Sequence, residues 1–162
     1  MAKKPAGKRK SGAASLPLPG HPPSLQVGAL CWRRAAGGLI KILLITSRDT
    51  GRWVIPKGWP MRKRSEAGAA AREAYEEAGV RGEVLERSIG LFSYEKGLGK
   101  GRGMTCVVRV FPLEVQELRR AYPETGQREV RWFTRDRAAR RVAEPELAAL
   151  IRDFEPDQGT AK

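Results

Sequence analysis

Apolar positions along the chain fall into short runs broken by Gly, Pro and charged residues, and their period changes along the way. Leu25 to Trp32 and Leu39 to Thr46 are rich in β-branched and apolar residues, and Ala35-Ala36-Gly37-Gly38 lies between them. This pattern predicts two strands of a hairpin. Trp53-Val54-Ile55 predicts a third short strand. Pro56 ends it by removing a backbone donor, and a loop is expected from Lys57-Gly58. From Ser65 the period becomes helical: Ser65 is the predicted N-cap, Glu66 suits the positive end of the helix dipole, and Gly79 is the predicted stop. Ala67, Ala70, Ala71, Ala74 and Ala78 recur at three- and four-residue steps, a small-residue face able to approach a sheet closely. More strands follow. Glu144 to Phe154, with Pro145 in its first turn and Leu147, Leu150, Ile151 and Phe154 on one side, predicts a closing amphipathic helix packed on the core. The fold class read from this order is α/β.

The 162 residues fit one domain, and no apolar run approaches the roughly 18 to 20 residues that span a bilayer, so a soluble protein with no membrane partner is expected. Residues 1–24 are rich in Pro, Gly, Ala and Ser without helix or strand period, and are read as a disordered basic arm. The folded domain is placed at 25–155, with a flexible tail at 156–162. Cys31 and Cys106, each in a strand-like stretch, are too few for a disulfide framework and read as buried reduced thiols, which makes a cytoplasmic location the default. The only histidine, His21, lies in the arm and reads as solvated, so no His-based triad exists in the folded region.

Charge narrows the class of partner. A formal net charge of +13 and a pI near 10.4 concentrate polyanions around the protein. Lys3, Lys4, Lys8, Arg9 and Lys10 place part of that charge in the arm, which either touches a nucleic acid or is a solvated tail. Against this positive background, Glu73, Glu76 and Glu77 stand at i, i+3 and i+4 on one helix face. Such a cluster is unfavourable alone, because like charges at this spacing raise one another's pKa, and a divalent cation reverses the effect. With no His or Cys alongside, hard carboxylate oxygens suit Mg2+ or Mn2+ better than zinc. A solvated acidic face is the alternative on composition alone.

Gly58, Arg72-Glu73-Ala74, Glu76-Glu77 and Gly79-Val80 together resemble the Nudix box, G-x(5)-E-x(7)-R-E-U-x-E-E-x-G-U with U apolar, over a 23-residue span from Gly58 to Val80. One position departs: Arg64 stands where the pattern has its first Glu. In the family that Glu braces the loop against the box Arg, so Arg72 needs another partner, and Glu66 is a candidate. The resemblance covers roughly Leu25 to Phe154. It implies an α/β/α sandwich with a mixed sheet and a hydrolase of phosphoanhydrides. It further implies Glu73, Glu77 and the Gly58 carbonyl as metal ligands, and Glu76, with Arg72 beside it, as the group acting on the attacking water.

Outside the box, Ala29-Leu30-Cys31-Trp32-Arg33, Thr46-Ser47-Arg48, Trp53 to Trp59 and Val130-Arg131-Trp132-Phe133 resemble the diphosphoinositol polyphosphate phosphohydrolase branch, which also accepts diadenosine polyphosphates. That resemblance implies a phosphate grip by Arg33, Ser47, Arg48, Arg52 and Lys57. Lys96, Lys100 and Arg102, spaced by Gly97, Gly99, Gly101 and Gly103, are read either as a mobile loop that closes over a polyanion or as a solvated hairpin. Trp53, Trp59 and Trp132 either stack on an adenine or, more commonly beside strands, pack. The expected partner is a polyphosphorylated small molecule bound by a monomer or weak homodimer. RNA 5′-end hydrolysis, with the arm on the RNA, and a non-catalytic polyanion-binding module are the alternatives.

Overall fold

The computed structural model describes residues 24–99 and 101–156. The expected arm apart from Ser24, His21 within it, Lys100, the Arg102 side chain and the tail beyond Pro156 lie outside the described residues.

Among the described residues, eight strands form one mixed sheet: β1 (Leu25–Arg34), β2 (Ile40–Thr46), β3 (Trp53–Val54), β4 (Lys57–Gly58), β5 (Val80–Val84), β6 (Gly90–Gly99), β7 (Arg102–Leu118) and β8 (Val130–Thr134). The central path runs β3-β2-β1-β7-β5, with β4 on β1, β6 on β7 and β8 on β2. β1 and β7 pair in parallel from Leu25↔Val107 to Trp32↔Glu114, and the other pairings are antiparallel.

Strand side chains alternate between faces, and here both faces are covered. Leu30, Ile42, Leu44, Val108 and Val110 point to one side, where they pack with Phe133, Leu147 and Ile151 under α2 (Arg135–Arg141) and α3 (Pro145–Asp153). Their neighbours Val27, Ala29, Cys31, Leu43, Ile45 and Leu113 point to the other, against the alanines of α1 (Glu66–Ala78). The result is the α/β/α sandwich expected from sequence, with two cores separated by one sheet. Cys31 and Cys106 are free and buried within it.

The helix signals of α1 hold at both ends. Ser65 Oγ accepts from the Gly68 amide at 2.9 Å, and Gly79 ends the helix in the left-handed region at φ 74°. Three features differ from expectation. The hairpin of β1 and β2 has only three paired positions, and the earlier part of β1 pairs with β4 instead of β2. Lys57-Gly58 is a strand rather than the start of a loop. It pairs with Val27 and Gly28, and a Cβ at Gly28 would meet the Pro56 carbonyl oxygen at 3.2 Å, so glycine on β1 makes the close crossing available. The run around Lys96, read either as a mobile loop or as a hairpin, is a β6-β7 ladder that continues to Gly99↔Arg102, with one irregularity after Gly97, as the hairpin reading has it. α2 was not foreseen: its sequence, RDRAARR, has only two alanines to bury, and its start depends on Thr134, whose Oγ1 accepts from the Arg137 amide.

Candidate active site

The acidic face of α1 and the β4 segment meet at one side of a cleft of about 550 Å³. Close contact is built into the sequence here, since a Cβ on Gly58 would overlap the Glu73 carboxylate. Glu73, Glu76 and Glu77 all line the cleft. Burial pushes the Glu73 carboxyl well above the ordinary carboxylate range, and the neighbouring charges of Glu77 and Glu76 push it further. Glu77 is buried and is also raised, first by desolvation, with Arg128 acting in the opposite sense. The Lys57 amide donates to Glu77 Oε1 at 3.3 Å.

Glu76 is held differently. Arg72 Nε donates to Glu76 Oε2 at 2.7 Å, one helical turn away. Arg72 is thus braced by a box carboxylate, whereas Glu66 accepts from Arg109 of β7 at 2.6 Å and ties the first turn of α1 to the sheet. The suggested Glu66 to Arg72 pairing gives way to these two contacts. With Glu76 turned to Arg72, no three acidic, His or Cys groups among the described residues already stand at metal-holding geometry. The chemistry of the donor set nonetheless fits a hard divalent cation. Two adjacent carboxylates, both disfavoured as anions by burial, face a backbone approach that only glycine permits.

Basic groups face the acidic wall. Ser47, Arg48, Arg52, Lys57 and Lys96 line the same cleft, as expected of a phosphate grip. A compact turn presents the first three: the Ser47 amide donates to the Arg52 carbonyl at 2.8 Å, and the Gly51 amide to the Ser47 carbonyl at 2.8 Å. Lys57 Nζ lies 4.6 Å from the centre of the Tyr94 ring, and desolvation lowers its pKa while Glu77 partly offsets the shift. Arg33 does not join the group. It is exposed near the end of β1 with its guanidinium 4.1 Å from the Trp132 ring centre, and it is not among the residues lining the cleft. Trp53 packs edge-on against Phe133 at 5.2 Å, and Trp59 lines the cleft.

Sequence reading missed a second charged centre. Arg128 is largely buried, donates to Glu124 Oε1 from Nε and Nη2 at 3.2 and 3.1 Å, and reaches Glu77 Oε2 at 3.6 Å. The Glu124 amide donates to the carbonyl of Glu76 at 3.0 Å, which fixes this turn against α1. The i, i+4 spacing of Glu124 and Arg128 was available in the sequence, but nothing in it linked them to Glu77.

A profile of the NUDIX domain matches residues 23–154. The chain belongs to the Nudix family. Its Nudix box is the loop and helix from Gly58 to Val80 that forms the acidic wall. Nudix hydrolase 21, chloroplastic, of Arabidopsis thaliana is 35% identical over 105 residues, which cover 64% of this chain and 50% of that protein. Diphosphoinositol polyphosphate phosphohydrolase 2 of Rattus norvegicus is 39% identical over 67 residues, 41% of this chain and 36% of that protein. The chain thus spans about half or less of the length of these two curated relatives. The Nudix fold is shared with a C. elegans Ap4A hydrolase solved as a binary complex, at a TM-score of 0.60 and 24% identity, over 80% of this chain and 93% of that one.

Proposed function

We propose that this Nudix protein is a pyrophosphohydrolase that cleaves a phosphoanhydride bond of a highly anionic small molecule, a diphosphoinositol polyphosphate or a diadenosine polyphosphate. The observation that carries the reading is the Glu73 and Glu77 pair, both disfavoured as anions by desolvation, with Glu73 against Gly58, in a cleft also lined by Arg48, Arg52, Lys57 and Lys96. The names of the relatives, a diphosphoinositol polyphosphate phosphohydrolase and an Ap4A hydrolase, support the same two substrate classes.

Glu73, Glu77 and the Gly58 carbonyl would hold Mg2+ or Mn2+. When bound, such a cation supplies the charge neutralisation on bridging phosphates that phosphoryl transfer depends on. Glu76 orients and deprotonates the attacking water, and Arg72, through its 2.7 Å bond, fixes the Glu76 rotamer. Ser47, Arg48, Arg52, Lys57 and Lys96 bind the phosphates that do not react.

The test is release of product from both substrates in parallel with magnesium. Turnover of at least one is expected. Glu76→Gln should lower kcat by roughly 10²- to 10⁴-fold, the usual range for removing a general base. A folded wild-type protein that turns over neither substrate sinks the proposal. An RNA 5′-end substrate is the second reading, favoured by the basic residues from Lys3 to Lys10.

A further inference from the structure

Among the cleft residues, Glu144 has no part in the chemistry proposed above, and its setting is unlike that of the other carboxylates. It occupies the N-cap position of α3, yet its side chain makes no capping bond. It is only 7% exposed and lines the cleft. Its Oε1 has no hydrogen-bond partner among the described residues, and its Oε2 stands 3.7 Å from Arg52 Nη1, beyond hydrogen-bond reach. The backbone on either side is pinned: Val142 bridges in parallel to Trp53, and the Ala148 amide donates to the Glu144 carbonyl at 3.0 Å. The carboxylate is therefore held in the cleft wall with one acceptor unsatisfied. Buried orphan acceptors cost stability and cluster where a ligand completes them.

The chemistry of what completes it follows from charge. A phosphate brings only acceptor oxygens and negative charge, so it suits Arg52 and Lys57 and is repelled at Glu144. A hydroxyl or amino group brings the missing donor. We propose that Glu144 is a specificity-determining residue. Its carboxylate, in the cleft lining, accepts a hydrogen bond from a hydroxyl or amino group on the non-reacting part of the substrate, and its charge rejects a phosphate from the same position. A ribose hydroxyl or a base amino group of a dinucleoside polyphosphate meets that requirement, whereas an inositol ring phosphorylated at every carbon does not. The assignment rests on the hydrolase reading and selects between its two substrate classes.

The experiment measures kcat and KM for diadenosine tetraphosphate and for diphosphoinositol pentakisphosphate with magnesium, in the full-length wild type, Glu144→Gln and Glu144→Lys. The wild type should favour the dinucleoside in kcat/KM by roughly tenfold or more, the scale of one hydrogen bond to a charged group. Glu144→Gln should narrow that ratio, and Glu144→Lys should shift it towards the inositol substrate by roughly tenfold, with the change in KM rather than kcat. A structural role would lower both substrates alike, so a ratio unchanged in both variants overturns the assignment. So does a wild type that prefers the inositol substrate, which needs no variant to fold. Equilibrium binding of the same two molecules to Glu76→Gln, with and without each Glu144 substitution, separates the two readings. A Glu144-dependent binding preference without hydrolysis by wild type sinks the hydrolase reading and keeps the Glu144 assignment; hydrolysis without such a preference does the reverse.

Discussion

At Glu73 the largest unfavourable influences on the carboxylate are burial, then the charge of Glu77 and the charge of Glu76. The sign of the consequence is fixed. A carboxyl whose folded-state pKa lies above its unfolded value is destabilising when ionised. Its penalty is absent below the ordinary carboxylate value of 4.5, grows as pH rises towards the raised value, and is complete above it. Glu73→Gln should therefore raise the melting temperature of the metal-free protein at neutral pH, and that advantage should disappear as the pH falls below about 4. The same change should abolish turnover. Thermal melts of both proteins across pH, without divalent cations, check this directly; a variant less stable than wild type at neutral pH would show that the Glu73 carboxylate contributes a structural contact larger than its electrostatic cost. If Glu73 holds a cation as proposed, function and stability are opposed at this residue, because the anion that would bind the cation is the anion that burial disfavours.

At the scale of elements, α1 presents its acidic face because its other face fits the sheet so closely. The alanines allow that approach, and Gly79 then reverses the chain directly into β5. A Cβ at residue 79 would stand 2.6 Å from the Arg119 carbonyl oxygen, in addition to the left-handed φ of 74°. Gly79→Ala should cost about 2 kcal/mol or more, combining backbone strain with the clash, and urea unfolding measures it. The cost should fall on stability first, since Gly79 does not line the cleft. α1 was legible in sequence because its determinants are local: Ser65 as cap, the alanine period and Gly79 as stop. The elements that were not legible depend on distant partners. β4 exists because Gly28, thirty residues earlier, leaves room for Lys57-Gly58. Arg128 enters the site only because β8 pairs with β2 and brings the Glu124 turn over α1. The candidate site divides the same way. The box carboxylates are neighbours in sequence, so their common helix face was legible and the structure has all three lining one cleft, while nothing local indicates that Arg33 stacks on Trp132 and is absent from the cleft lining.

For the whole molecule, the decisive quantity is the +13 charge, of which five cations lie between Lys3 and Lys10 and others surround the cleft. These two groups of charge would act at different ranges. Cleft cations would contact phosphates directly, in partly desolvated surroundings that salt screens little, whereas charge acting through solvent is screened over a Debye length, about 8 Å at physiological ionic strength. Raising the salt from low to roughly 0.5 M screens the long-range field of the net positive charge that draws a polyanion in, and should increase KM several-fold for a small polyanion while leaving kcat nearly unchanged. Removing residues 1–23 separates the contributions. If the substrate is a small polyphosphate gripped inside the cleft, the truncated protein should keep kcat/KM within about threefold of wild type at physiological salt, because the contacts that discriminate are retained. If it is an RNA 5′ end, the arm contributes phosphate contacts along the strand. Truncation should then flatten the dependence of log kcat/KM on log salt and lower kcat/KM for RNA by roughly tenfold or more, while a dinucleoside is spared. Steady-state kinetics of the two proteins at three salt concentrations decide between these outcomes, because only a substrate longer than the cleft can sense the loss of charge outside it.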